Sequence, residues 1–288
     1  MAGETSDFKQ ALAFKRSMSQ TDVEFLDCEG VRLAYRRSSS SPSVDGERTG
    51  IVWLGGFHSD MLGEKASALH EASKSAGRSF IRFDYFGHGE SDGDFAEGTV
   101  SRWRDNALAV IDQLTKGPLV LVGSSMGGWI ALLAALAKPA RVKGLVLLAP
   151  APDFTEKLMW DRFDSEIKRQ VIETGSWMRP SPYAAGGYPI TRALIEDGRS
   201  WLIMDQPIVL DVPIAILQGQ RDEDVPWAFA QLLVERIESE AISFTLIKDG
   251  DHRLSRPQDI RLMVQAALAM ADQADASMAA KQSASPSR

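Results

Sequence analysis

The five residues Gly123-Ser124-Ser125-Met126-Gly127 constrain this chain more than any other segment, because of what flanks them. The apolar run Leu119-Val120-Leu121-Val122 leads in. The run Trp129-Ile130-Ala131-Leu132-Leu133-Ala134-Ala135-Leu136, apolar and helix-favouring, leads out. A buried strand must therefore become a helix within a few residues. Glycines two before and two after Ser125 are what so tight a turn tolerates. Such a turn lifts the Ser125 hydroxyl clear of the sheet and leaves the Met126 N–H free to meet a negatively charged oxygen.

The same strand-then-helix rhythm recurs along the chain. Apolar runs at 51–54, 80–83, 119–122, 145–148, 214–217 and 244–247 alternate with helical patterns that include 62–75 and 101–114. Alternation of this kind predicts an α/β fold: a mostly parallel sheet covered by helices on both faces and joined by right-handed crossovers. Ahead of it, 23–27 and 31–35 flank Glu29-Gly30 and predict an antiparallel hairpin. One spacing breaks the rhythm. Roughly 60 residues separate Pro150 from Pro213, too many for a plain crossover. They carry helical patterns at 154–160, 166–173 and 191–196 around a Pro/Gly-rich centre at 180–189. The expected organisation is a core at 21–150 and 212–275, a helical cap at 151–211 over the carboxyl ends of the strands, and flexible termini at 1–20 and 276–288.

Charge and cysteine usage exclude several roles. A net charge of −7 argues against nucleic acid or an anionic membrane as the main partner. The single cysteine, Cys28, precludes an intrachain disulfide and fits a reducing, cytoplasmic setting. No apolar stretch reaches the length of a membrane span. The first 20 residues lack the apolar centre of a secretory signal, and Glu4 and Asp7 weaken a mitochondrial reading. Four scattered histidines and no cysteine pair call for no metal and no organic cofactor.

A serine becomes a nucleophile near neutral pH only with a base in hydrogen-bond reach and a carboxylate to orient that base. Asp222 lies just past the glycine turn that ends the strand at 214–217, with Asp224 the second candidate in the same loop. His252 lies in the loop after the strand at 244–247, ahead of a helix start at Ser255-Arg256-Pro257-Gln258. The other histidines fit less well: His70 is expected on a helix surface, and His88 in a glycine turn reads as structural. His58 is expected to line the pocket. A second oxyanion donor is expected from the Phe57 N–H, because Gly55-Gly56 bring that backbone close.

These motifs resemble the α/β-hydrolase superfamily, in order over about residues 23–270. The nearer likeness is to the α/β-hydrolase domain-containing family typified by the mitochondrial acyl-protein (palmitoyl-protein) thioesterase, which also hydrolyses acyl glucuronides. It is carried by Gly56-Phe57 with Ser59-Asp60-Met61, Ile81-Arg82-Phe83-Asp84-Tyr85, Ser91-Asp92-Gly93 and Gly123 to Trp129. Asp222 with Val225-Pro226-Trp227 and Asp251-His252-Arg253 complete it. The resemblance implies an α/β-hydrolase fold, a Ser125–His252–Asp222 triad, a carboxylic ester or thioester substrate, and mitochondria as the alternative location. Large apolar side chains at 151–211, Trp160, Trp177 and Trp201 among them, are expected to form a pocket for the apolar acyl group of a small molecule or an acylated protein. Ser125 excludes a haloalkane dehalogenase, which needs aspartate at that position. A peptidase, a lyase, a cofactor-free haloperoxidase or an idle binding protein on the same fold stays open.

Overall fold

The computed structural model describes residues 23–38, 48–180, 186–239 and 241–284. The expected flexible segment 1–20 lies outside them. Strands β1 (Glu24–Cys28) and β2 (Val31–Ser38) form the antiparallel hairpin. Then follow β3 (Gly50–Leu54), α1 (Glu64–Ser75), β4 (Phe80–Phe83), α2 (Val100–Leu114), β5 (Leu119–Ser124), α3 (Met126–Ala137) and β6 (Val142–Leu148). The segment after β6 holds a π-helical turn (Phe154–Met159), α4 (Ser165–Thr174), β7 (Ser176–Arg179), β8 (Tyr188–Thr191) and α5 (Arg192–Gly198). The chain closes with β9 (Ile208–Val209), β10 (Ile214–Gly219), α6 (Trp227–Arg236), β11 (Ile237–Glu238), β12 (Ile242–Ile247) and α7 (Pro257–Ala284).

Eight strands form one sheet in the order β1-β2-β4-β3-β5-β6-β10-β12, antiparallel at β1–β2–β4 and parallel from there on. The continuous apolar runs are explained by burial on both faces, with alternate residues going opposite ways. In β3, Val52 and Leu54 enter one core with Trp103 and Trp129, while Ile51 and Trp53 enter the other with Leu69 and Met263. The strand order also places the site. From β3 the chain crosses outward to β4, and from β5 it proceeds the other way to β6. A crevice therefore opens at the carboxyl ends of β3 and β5, where ligands of open α/β sheets bind.

Residues 151–211 are tied down at both ends by one buried carboxylate. Asp153 accepts the N–H groups of Ile203 and Met204, each at 2.9 Å. Between these ends, Trp177 pairs with Ile190 in an antiparallel β7–β8 ribbon that the Pro/Gly-rich composition had concealed. Among the described residues no helix is long and apolar enough to cross a membrane.

Two expectations need correction. The tail from Ala276 is not loose throughout, since α7 runs to Ala284. Its alanines favour helix, and the helix is anchored where Asp275 accepts from the Thr49 N–H at 2.7 Å and from Arg78 at 2.8 Å. His70 is not on the surface. Ala66, Leu69, His70 and Ser73 share the buried face of α1, at helical spacing, and the His70 ring packs edge-on against Phe80.

That burial, with the nearby Arg82 charge adding to it, pulls the His70 pKa down to about 4. The unfolded chain therefore binds the extra proton first, and His70 costs stability as pH falls from about 6.5 toward 4. Asp84, pushed up to about 6 by burial, acts in the opposite sense over nearly the same window. Replacing His70 with phenylalanine isolates the histidine contribution. We expect the urea midpoint of His70→Phe to fall less than that of the wild type between pH 6.5 and 4.5. Parallel curves would contradict the assignment.

Candidate active site

Ser125 is held in a backbone conformation that side chains other than glycine rarely adopt, φ 56° and ψ −118°. The conformation persists because its surroundings over-determine it. The Ser125 N–H donates to the Leu148 carbonyl at 2.9 Å, and the Ser125 carbonyl accepts from the Gly128 and Ala151 N–H groups at 2.9 and 3.1 Å. Gly127 is required for a separate reason: a Cβ there would collide with the carbonyls of Leu54 and Gly55.

Three loops meet at this turn. His252 Nε2 lies 3.0 Å from Ser125 Oγ, and His252 Nδ1 lies 2.8 Å from Asp222 Oδ2. The Asp222 side chain is fully buried, yet every bond that a carboxylate wants is supplied. Oδ1 accepts the N–H groups of Asp224 and Val225 at 3.0 and 2.8 Å, and Oδ2 also accepts from Gln218 Nε2 at 3.0 Å. Because a carboxylate only accepts, the His252 proton sits on Nδ1 and Nε2 is free to accept from the serine hydroxyl. The arrangement can take a proton from Oγ and hold the resulting imidazolium against a buried negative charge.

Asp224 does something else. Its carboxylate is 61% exposed and faces Arg179 of β7 at 3.7 Å. Asp222, Asp224 and His252 together have the spacing of a metal-ligand cluster. Both ring nitrogens of His252 are already engaged by Asp222 and Ser125, so the set is better suited to proton transfer than to an ion.

The turn after β3 passes directly over the serine. A Cβ at Gly56 would sit 3.3 Å from the Ser124 carbonyl and 3.5 Å from Ser125 Cβ. Phe57 and Met126 both line the cavity at this point. The Phe57 ring is locked among Phe95, Phe154 and Tyr188 at centroid separations of 5.0, 5.4 and 5.6 Å.

A cavity of about 690 Å³ opens above Ser125. Its apolar wall comes largely from residues 151–211: Phe154, Leu158, Met159, Phe163, Trp177 and Tyr188. His58 lines it too, stacked on Tyr188. Trp160 and Trp201 do not, which corrects the sequence expectation. Both indoles pack elsewhere: Trp160 lies under Arg199 and against Phe163, whereas Trp201 lies under Arg104 and donates Nε1–H to Ser101.

One residue had no sequence signal. Lys65 on α1 reaches back to donate to Ser124 Oγ at 3.0 Å and to the Arg253 carbonyl at 2.5 Å, tying the serine turn to the histidine loop. Burial, with Arg253 adding to it, pulls the Lys65 ammonium down to about 8. In the sequence it is an ordinary polar helix position.

The sequence profile of the alpha/beta hydrolase family matches residues 51–262. The mitochondrial palmitoyl-protein thioesterase ABHD10 of Homo sapiens is 37% identical over 247 residues, covering 85% of this chain and 78% of the relative. The structure of mouse alpha/beta hydrolase domain-containing protein 10 superposes with a TM-score of 0.79 at 36% identity, covering 88% of this chain and 99% of that one. A crystal structure from Agrobacterium vitis S4 gives 0.81 at 41% identity, covering 86% and 99%.

Proposed function

The chain belongs to the alpha/beta hydrolase family, and from that premise we propose that it cleaves carboxylic esters or thioesters through an acyl-enzyme on Ser125. The observation that carries this reading is the hydrogen-bonded series Asp222–His252–Ser125 opening into an apolar-walled cavity. In the first half-reaction Ser125 Oγ attacks the acyl carbonyl while His252 Nε2 takes the hydroxyl proton. Asp222 steadies the imidazolium, and the N–H groups of Phe57 and Met126 receive the oxyanion. The alcohol or thiol leaves with the proton from His252. Water, deprotonated by the same imidazole, then releases the acid.

We read residues 151–211 as a cap that supplies the acyl pocket. The relatives named palmitoyl-protein thioesterases favour a fatty acyl group on a protein thiol, and the Phe154, Met159 and Trp177 wall suits one. Their mitochondrial names favour that location over the cytoplasmic one expected from the sequence.

The test is hydrolysis of matched oxygen esters and thioesters from acetyl to palmitoyl. Both leaving groups should be released, with kcat/KM rising toward longer acyl chains as apolar surface is buried. Inertness toward both series would refute the proposal.

A further inference from the structure

His88, in the glycine turn Phe86-Gly87-His88-Gly89, takes no part in the reaction just described, yet both its ring nitrogens are engaged. Nδ1 lies 3.0 Å from the Phe86 carbonyl and Nε2 lies 3.2 Å from the His58 backbone nitrogen. A carbonyl can only accept, so Nδ1 bears the proton. Nε2 of the neutral ring is then the acceptor for the His58 N–H. The ring is 4% exposed, packed edge-on against Phe95 and Trp103, and its burial pulls the pKa down to about 4. It therefore stays an acceptor across the neutral range. Its own turn is fixed independently by α2: Trp103 Nε1–H donates to the Phe86 carbonyl at 3.2 Å, and the Phe86 N–H donates to Asn106 Oδ1 at 2.9 Å.

The loop that His88 grips is the one assigned to the oxyanion. The Phe57 N–H shares a peptide plane with the Gly56 carbonyl and points opposite to it. That carbonyl accepts from Ser59 N–H and Ser59 Oγ at 3.3 and 2.8 Å, which sets the first plane. The next plane, between Phe57 and His58, ends in the N–H held by His88. His58 itself adopts φ 55°, an unfavourable value that needs such a partner to persist. We propose that His88 is a positioning residue for ester or thioester cleavage: by accepting the His58 N–H it fixes the backbone on either side of Phe57 and so aims the Phe57 N–H at the oxyanion. This rests on the reading of Ser125 as the nucleophile.

Two substitutions separate this role from simple packing. In His88→Gln the side-chain oxygen reaches the place of Nε2 and can still accept from His58. In His88→Asn the amide reaches only the place of Nδ1, so it can serve Phe86 but leaves the His58 N–H unpartnered. His88→Asn should lower kcat by about 10- to 100-fold with KM unchanged, the scale of a misplaced reacting group. Its affinity for an alkyl trifluoromethyl ketone, whose adduct places an oxyanion in the same spot, should fall by the same factor. His88→Gln should stay within about 3-fold of the wild type on both measures. Hydrogen exchange at the His58 amide provides a readout that needs no activity. It should remain slow in the wild type and in His88→Gln, and accelerate in His88→Asn. Equal losses in the two variants, matched by equal falls in melting temperature, would reduce His88 to a packing residue. Unchanged kcat in His88→Asn would also overturn the proposal. Should the wild type hydrolyse nothing, the nucleophile reading fails on its own, and the exchange comparison still decides whether the clamp exists.

Discussion

Ser125→Ala is expected to lower kcat by about ten thousand-fold or more while leaving the fold in place. The expectation separates chemistry from stability because the two depend on different atoms. Alanine keeps the Cβ, so the strained turn, the bond from residue 125 to the Leu148 carbonyl and the contact with Gly56 all remain. What disappears is one hydroxyl and its 3.0 Å bond to His252 Nε2, a loss of about 1 kcal/mol in stability at a half-buried site. A fluorophosphonate probe should label the wild type at this residue and fail to label the variant, with melting temperatures nearly equal. Labelling that survives the substitution would place the nucleophile elsewhere.

Asp222→Asn should cost nearly as much, on the order of ten thousand-fold in kcat, although its shape is almost unchanged. All four partners of the carboxylate are donors: two backbone N–H groups on Oδ1, and Gln218 Nε2 with His252 Nδ1 on Oδ2. An asparagine must turn its NH2 toward one of these pairs. Facing the backbone pair, it leaves donor against donor in a buried site. Facing His252, it drives the ring to the other tautomer, with the proton on Nε2 where the lone pair is needed. Asp224→Asn should leave kcat within a few-fold, since its exposed carboxylate pairs with Arg179 while the imidazole is hydrogen-bonded to Asp222. The reverse ranking of the two variants would move the acid to Asp224.

The contrast between these neighbouring aspartates shows where the sequence stopped being informative. Both lie in one loop, and only the course of β10 and its neighbours turns one inward and the other out. The indoles behave alike. Trp160, Trp177 and Trp201 look equivalent as large apolar side chains, but only Trp177 lines the cavity, while Trp160 and Trp201 lie under Arg199 and Arg104. The polar chemistry of His70 suggests exposure, whereas its helical spacing with Ala66, Leu69 and Ser73 puts it inside. Beyond Ala276 the composition is small and polar, which suggests a loose tail, yet its alanines also favour the helix that forms there.

What the sequence determined alone is local: a glycine-flanked turn between a strand and a helix, and apolar runs dense enough to be buried on both faces of a sheet. Those features depend on backbone sterics and side-chain period over a few residues, so they are legible without coordinates. What only the tertiary structure decided is the meeting of residues 125 and 252, 127 positions apart. Which of Asp222 and Asp224 bonds to His252, the reach of Lys65 from α1, and the hydrogen bond from the His58 N–H to His88 were decided there too. Hydrogen bonds between loops depend on the order of strands and the depth of burial, which no local pattern encodes.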